Sequence, residues 1–465
     1  MRIALVGLAC ALCGCAVAVA QVKLPRTESA ALPNGMQLIM APRKEIPMVT
    51  LRLLVRGGAE TDPQDRAGLG DLTGELLQRG AAGLSAAAFA EKLDSLGAAL
   101  GVNTNAQATT IQLDFLAKDA GPALELLAAA VGKPVFAEDE VKKALAESID
   151  AVKSSKDEAG QAIGSYAAAL MFGPRHPYGR VVDERSLGRI TRADIAVFHR
   201  RYYVGRNMIA VVAGDFEPAA MRSRVEATLG AIPEGEAYQW MPALPPPKHE
   251  KARLLLVDKP DATQTYFSIM MPGVERATPD RAGLWLVNTL FGGRFTSLLN
   301  DALRVNSGLT YGANSSIQWN RMPGSIRIGS YTKTETTLQA IDMALQVLRR
   351  LREKGIDAAM LASAKSYVKG TFPTGNLETD SQLAAVLGDL RLFQLGSGEI
   401  DDLFSRLDAV TPERATALAR RYFVDSNLQF CLVGKASEIR AAVAKYASDL
   451  KVISITDAGF AVPDF

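Results

Sequence analysis

Two side chains in the second half of the chain could act together on a polarised carbonyl group. Arg304 and Tyr311 lie seven residues apart in the segment 291–316, which reads FGGRFTSLLNDALRVNSGLTYGANSS. A break at 306–308 separates a predicted short helix from an extended stretch. The helix end and the strand start could therefore aim both side chains at one point, where a cation and a phenol donor stabilise charge developing on an acyl oxygen.

The same two residues also have an ordinary structural interpretation. Thr296 or Ser297 is expected to cap the helix, and Leu303 belongs to its apolar face. Arg304 then falls in the last turn, where a cation complements the helix dipole. Tyr311 would be a half-buried strand residue, so residue types and spacing alone leave both interpretations open.

The first 20 residues have the features of an export signal. Arg2 precedes an apolar run, and Ala18-Val19-Ala20 provides the small residues of a cleavage site. We therefore expect residues 1–20 to be removed and the mature chain to be exported, most simply to a bacterial periplasm. A lipid anchor at Cys15 is an alternative that the neighbouring Cys13 fits poorly.

Composition argues against several classes of function. The chain has 52 Lys and Arg against 50 Asp and Glu, a formal net charge of +2. Because both signs are interspersed, this balance argues against a nucleic-acid partner or a polybasic membrane role. Cys431 is the one cysteine beyond the export signal and sits in an apolar run, so we expect a buried, inert thiol and no intramolecular disulfide.

An internal duplication is the strongest sign of organisation. The segment 187–214 contains LGRIT, RYYV, an asparagine and an apolar strand that ends in glycine. The segment 407–434 repeats this order with LDAVT, RYFV, an asparagine and a second such strand. A proline-rich stretch separates the two copies and is expected to be stiff and extended.

We therefore predict two homologous α+β domains, at residues 21–240 and 249–465, joined by the proline-rich linker 241–248. Each domain is expected to be a mostly antiparallel sheet packed with helices. In the first copy, a serine start and a glycine stop predict a helix over 85–97. Ala99–Leu116 alternates apolar and polar residues, as a strand or hairpin does.

The segment 291–316 and the duplicated Arg-Tyr-aromatic-Val units resemble the pitrilysin/insulinase-type zinc metallopeptidases, which include the mitochondrial processing peptidase. The resemblance covers essentially the whole mature chain. It implies that the two domains form one half of a clamshell whose second half is another half-shell. It also implies that Arg304 and Tyr311 hold the substrate carbonyl and stabilise the oxyanion at a zinc site on the opposite half.

The zinc motif of that family is degenerate in this sequence. The family places His-x-x-Glu-His on a helix, with the glutamate as general base, and a further glutamate ligand downstream. The matching positions here hold Asp71, Gly74 and Glu75. The downstream position falls on Ser148, with Glu147 adjacent if the register slips by one.

No other part of the sequence offers a replacement zinc site. Asp71 and Glu75, four residues apart, are expected to be solvated or to pair with a neighbour such as Arg79. The histidines lack ligand spacing and are expected in a loop, on a helix surface and in the linker, respectively: His176, His199 and His249. We therefore expect no cofactor in this chain and a zinc ion in a homologous partner.

The main hypothesis is the non-zinc subunit of an exported heterodimeric zinc endopeptidase. The two chains would enclose a peptide, which lies extended along an edge strand of the zinc subunit and is hydrolysed inside the chamber. The alternative is a non-catalytic structural or peptide-binding subunit, similar to the respiratory-chain core proteins. The exposed inner face would be partly apolar, which allows weak homodimers without the partner, and the sequence leaves open whether the isolated chain self-associates.

Overall fold

The computed structural model describes residues 21–245 and 247–465, so the predicted export signal and Cys15 lie outside the described residues. Within that part of the chain, the strands form two six-stranded sheets. The strands are β1 Glu28–Ala31, β2 Gln37–Pro42, β3 Met48–Arg56, β4 Ala99–Thr104, β5 Ala108–Leu116, β6 Met208–Gly214, β7 Arg253–Asp258, β8 Gln264–Pro272, β9 Ala313–Ile317, β10 Ser325–Lys333, β11 Gln429–Gly434 and β12 Asp449–Ser454.

The strand order shows the internal duplication directly. The first sheet runs β1-β2-β6-β3-β5-β4 and the second runs β12-β7-β11-β8-β10-β9. β2 pairs with β6 in parallel, as β7 pairs with β11, whereas β3 and β8 pair antiparallel with both of their neighbours. The prediction of two duplicated α+β units with mostly antiparallel sheets is confirmed, and the predicted hairpin over 99–116 is formed by β4 and β5.

Helices cover both sheets. They are α1 Leu69–Glu75, α2 Ala86–Ser95, α3 Ala120–Gly132, α4 Glu138–Ser155, α5 Ala159–Phe172, α6 Glu184–Leu187, α7 Arg192–Tyr202, α8 Pro218–Thr228, α9 Arg281–Asn288, α10 Leu298–Asn300, α11 Thr337–Lys354, α12 Ala358–Asn376, α13 Asp380–Leu392, α14 Gly398–Asp401, α15 Leu403–Ala409, α16 Pro412–Tyr422 and α17 Ala436–Val443. None of the helices in the described residues is long and apolar enough to span a membrane.

Equivalent side chains start the repeated helices. The Thr191 hydroxyl accepts a hydrogen bond from the Asp194 backbone N–H at the start of α7, and the Asp194 carboxylate accepts one from the Thr191 N–H. Thr411 caps α16 in the same way through the Arg414 N–H. Because these caps satisfy helix donors that would otherwise lack partners, both copies of the repeat begin their helix at the same position.

Each sheet has one face covered by a helix that belongs to the other half of the chain. α5, from the first half, packs on β8 and β11, where Ile163 and Tyr166 join a cluster with Val433. α13, from the second half, packs on β3 and β6, where Leu383 and Leu387 join the corresponding cluster. The two halves therefore brace each other through apolar packing, and their relative position is fixed by the core itself.

Polar contacts add to this bracing where the linker passes between the halves. Glu60, whose side chain is fully buried, accepts a hydrogen bond from the Tyr238 hydroxyl at 3.1 Å and lies 3.4 Å from the Arg321 guanidinium. Burial raises the pKa of Glu60, while Arg321 and Tyr238 oppose that shift. Because the buried carboxylate has both partners, the contact joins the first half, at a point just before the linker, to the second half.

Candidate functional site: an arginine and tyrosine groove

The segment that carries Arg304 begins with tight backbone packing. Residues Thr289–Gly293 form a π-helical turn after α9. At Gly292 a Cβ atom would lie 2.3 Å from the Ser315 backbone nitrogen, so only glycine allows this turn to contact β9. The turn and the edge strand are thereby held together before the short helix α10 begins.

The helix predicted to run from Thr296 or Ser297 to Arg304 is only partly regular. Ser297 does cap it, accepting a hydrogen bond from the Asn300 N–H at 3.4 Å, but α10 ends at Asn300. The next turn, Asp301–Asn306, is π-helical and contains Arg304. The strand expected from Leu309 begins only at Ala313, because Thr310 and Gly312 form a side-chain-bonded turn first.

Two asparagines fix the strand against this helical segment. The Asn300 side chain accepts a hydrogen bond from the Ala313 N–H at 3.2 Å and donates one to the Phe295 carbonyl at 2.7 Å. Asn288 exchanges two hydrogen bonds with Ser315, of 2.8 and 3.1 Å. These contacts set where Arg304 and Tyr311 lie, and sequence reasoning did not single out either asparagine.

Arg304 and Tyr311 line the same groove, of about 650 Å³. The Arg304 guanidinium carbon lies 4.7 Å from the centre of the Phe295 ring, and Tyr311 is 78% exposed. Within the described residues, neither the guanidinium nor the phenol has a hydrogen-bond partner or a carboxylate neighbour. Both therefore present free donors to a ligand, as oxyanion stabilisation requires, although their catalytic role stays a prediction.

We call this cavity the arginine groove. Its floor is the part of the second sheet that α5 leaves open, and its walls are formed by residues of both halves of the chain. Residues that line it include Gly160, Arg294, Phe295, Arg304, Tyr311, Arg327, Gly329, Tyr331 and Tyr367. Sequence reasoning missed Arg327, because an arginine in an alternating strand normally points to solvent.

The positions of the degenerate zinc motif lie on α1 and α4. Asp71, Gly74 and Glu75 are on α1, and Ser148 is half-buried on α4. Desolvation and the nearby Glu75 carboxylate raise the pKa of Asp71. A Cβ atom at Gly74 would lie 3.0 Å from the side chains of Thr109 and Val102, so the hairpin leaves no room there for a glutamate without rearrangement.

A guanidinium occupies the space between the carboxylates of α1 and α4. Arg79 forms an ion pair with Glu75, a second with Glu147 at 2.5 Å and a third with Glu140 at 3.5 Å. In the described residues no group of three or more His, Cys, Asp and Glu side chains is arranged to hold a metal ion. The residues present do not fit zinc, which needs imidazole or thiolate ligands and an open position for water.

The three histidines are all held neutral by their surroundings. Burial lowers the pKa of His176 and of His249 to about 4, and an adjacent arginine adds to each shift. His199 also has a lowered pKa, because it is buried against α3. Its Nε2 atom lies 2.8 Å from the Val131 carbonyl oxygen. Cys431 is a free, buried thiol whose pKa burial raises to about 12, as expected for an inert side chain.

Comparison with known proteins identifies the class of this fold. The family model described as "Insulinase (Peptidase family M16)" matches residues 38–167, and the model described as "Peptidase M16 inactive domain" matches residues 189–368. The two matches together cover more than half of the chain. The chain therefore belongs to peptidase family M16, as a homologue that lacks the family's zinc motif.

Individual relatives agree with this assignment. The chain is 24% identical over 396 residues to an uncharacterized zinc protease of Mycobacterium tuberculosis, which covers 84% of this chain and 89% of the relative. It is 22% identical over 340 residues to a non-peptidase homolog of Helicobacter pylori, covering 73% and 78%. A crystal structure of a peptidase M16 inactive domain from Pseudomonas fluorescens has the same fold, with a TM-score of 0.82, 23% identity and coverage of 88% and 98%.

Proposed function

We propose that this chain is the non-zinc subunit of an exported, heterodimeric zinc endopeptidase. Its partner is a homologous chain that carries His-x-x-Glu-His and the zinc ion, and the two half-shells enclose a peptide. Arg304 and Tyr311 extend from this chain to the scissile carbonyl of that peptide. The export step is carried by residues 1–20, and the complex works in the periplasm.

One observation carries this proposal. Arg304 and Tyr311 line one open groove with free donors, in a chain whose zinc-motif positions hold Asp71, Gly74 and Glu75. A cation and a phenol that face one groove without other partners can both donate to the same substrate oxygen. Hydrogen-bond donors that are already in position when the reaction begins stabilise an oxyanion without any reorganisation of the protein. We propose that this chain contributes such donors to the metal-bearing partner.

The partner's contribution is the chemistry of its metal. The histidines of the partner's motif would hold the zinc ion, which would supply an activated water, and the motif's glutamate would act as general base. This chain supplies only binding, orientation and charge stabilisation. Its own α1 cannot add a second metal centre, because Arg79 already pairs with Glu75 and Glu147.

Affinity purification from the source organism tests the proposal. We expect recovery of a homologous chain with an intact zinc motif, and peptide hydrolysis by the mixture that neither chain shows alone. Zinc content should follow the partner and be absent from this chain purified by itself. A near-stoichiometric zinc ion in the isolated chain would contradict the proposal, as would full peptidase activity of the partner alone.

A non-catalytic role is the second candidate function, and the name of the Helicobacter relative favours it. In that case this chain holds peptides or stabilises an assembly, and Arg304 and Tyr311 contribute binding only. Substitution of either residue would then weaken peptide binding by the complex without changing kcat. The proposed catalytic role predicts the opposite result: substitution of either residue lowers kcat and changes peptide binding little.

A further inference from the structure

The charged side chains that the structure describes in the lining of the arginine groove are all positive. Three guanidinium groups line it, those of Arg294, Arg304 and Arg327, and no aspartate or glutamate stands among the described residues of its lining. Arg294 is already engaged, since it donates two hydrogen bonds to Ser363 and lies over the Tyr367 ring. Arg304 and Arg327 remain, and only Arg304 has a role in the proposed reaction.

Arg327 is held in an unfavourable state. It lies on β10, half-buried on the floor of the groove, and its Nε atom is fully buried without a hydrogen-bond partner. No carboxylate of the described residues lies within ion-pair distance of it, and burial lowers its pKa. A half-buried guanidinium without a partner loses part of its hydration, and an anionic ligand in the groove would offset that cost.

The side chain of Arg327 runs along β10 toward Gly329. A Cβ atom at Gly329 would lie 3.6 Å from Arg327 Nε, so the guanidinium lies beside a glycine that leaves it room. One residue further along β10, the Ser330 hydroxyl donates a hydrogen bond of 2.9 Å to the Gly312 carbonyl, next to Tyr311. The guanidinium therefore lies about one residue of strand, about 3.3 Å along β10, from Ser330.

We infer that Arg327 binds a carboxylate of the peptide in the groove, close to the carbonyl that Arg304 and Tyr311 hold. This inference rests on the proposed function for the placement of the carbonyl. An extended peptide advances about 3.3 Å per residue, so the short separation along β10 favours a carboxylate one or two residues from that carbonyl. The substrates are therefore peptides with an acidic side chain or a free C-terminal carboxylate at that distance.

Aromatic side chains complete the subsite. Tyr331 lies on the same face of β10 as Arg327, four residues along the strand, and stacks on Tyr266 with ring centres 5.0 Å apart. Phe295 and Tyr367 are exposed at the opposite rim of the groove. Exposed aromatic rings beside arginines are typical of binding hot spots, so apolar residues next to the acidic one are expected to add affinity.

Peptide binding to the purified chain tests the inference without the partner. Fluorescence anisotropy would compare labelled peptides that differ by a single Glu-to-Gln exchange at each position in turn. We expect one position, or the C-terminal carboxylate, at which loss of the charge weakens binding about 10- to 100-fold, the range for a hydrogen bond to a charged group. Arg327→Gln should abolish this preference, and Arg327→Lys should restore part of it.

Matched controls separate the possible outcomes. Arg350→Gln removes the same charge from an exposed surface of α11 and should leave the preference intact. Circular dichroism and a thermal midpoint show that each variant is folded. Equal affinity for Glu and Gln peptides, or an unchanged preference in Arg327→Gln, would overturn the inference.

The complex then distinguishes this inference from the proposed function. If Arg327→Gln removes acidic selectivity while the mixture shows no hydrolysis, the inference holds and the enzymatic function fails. If hydrolysis depends on Arg304 but shows no acidic preference, the function holds and the inference fails. If Arg327→Gln instead blocks assembly with the partner, the cation binds the partner subunit and the inference is wrong.

Discussion

Leu383 provides a test of how the two halves of the chain brace each other. It belongs to α13, in the second half of the sequence, but it is 1% exposed and packs with Leu54, Ile209 and Val211 of the first sheet. Leu383→Ala should therefore destabilise the sheet of the first half. If each half supported only its own sheet, Leu383→Ala would destabilise the second sheet instead.

The size of this effect follows from the buried volume. Truncation of leucine to alanine removes three carbon atoms, about 2.4 kcal/mol of transfer free energy at about 0.8 kcal/mol each. The cavity left in a close-packed core brings the cost to about 3–4 kcal/mol. For a chain of this length unfolding as one unit, that cost lowers the thermal midpoint by about 3 °C.

Hydrogen exchange followed by mass spectrometry locates the effect. We expect Leu383→Ala to speed amide exchange in β3 and β6, more than 150 residues away in sequence. The matched control is Leu361→Ala in α12, which is equally buried but packs within the core of the second half. Unchanged exchange in β3 and β6, or the same increase in both variants, would refute the bracing.

Three further predictions concern charged and titratable groups. Arg79→Met leaves Glu75, Glu140 and Glu147 without their common cation, so Tm should fall by about 1–2 °C, and by less in about 1 M salt, which screens partly exposed ion pairs; an equal fall at low and high salt would contradict this. His176 has a folded-state pKa of about 4, below its unfolded value, so stability is lost as pH falls from 6.5 to 4, by at most about 1.4 kcal/mol per pH unit. His176→Asn keeps an acceptor for the Tyr178 N–H. Urea titrations of this variant should show a free energy of unfolding that falls less steeply with falling pH, and the same slope as wild type would refute the prediction. Arg327→Met removes an unpaired buried cation, so the urea midpoint of the free chain should rise, and a fall would show that the cation has a structural partner.

The duplicated fold and several local elements were predictable from the sequence. In each copy a threonine starts a helix, aromatic residues end it and an apolar strand follows. This pattern predicts α7 and β6 in the first copy and α16 and β11 in the second, because helices and strands have different periods and caps. The pairing of Glu75 with Arg79 was also foreseen, since residues four apart share a helix face. Local chemistry was sufficient for these features.

Other features depend on long-range packing that a local pattern does not encode. The apolar sequence of α5 indicates burial but does not say which sheet it covers, and the same holds for α13. Gly292 holds the turn 289–293 against β9, and Asn300 ties the start of the π-helical turn that contains Arg304 to Ala313, so both turns depend on a strand that follows them in sequence. Arg327 looked like an ordinary exposed strand residue, because its neighbours across the sheet are distant in sequence.

Peptide hydrolysis by the reconstituted complex tests the central claim most directly. With the zinc-bearing partner unchanged, Arg304→Ala and Tyr311→Phe in this chain should each lower kcat about 10²-fold, the cost of losing one oxyanion donor. Arg350→Ala on an exposed helix surface should leave kcat unchanged. Wild-type kcat/KM in complexes that carry Arg304→Ala or Tyr311→Phe would contradict the claim that this chain lends its arginine and tyrosine to the partner's reaction.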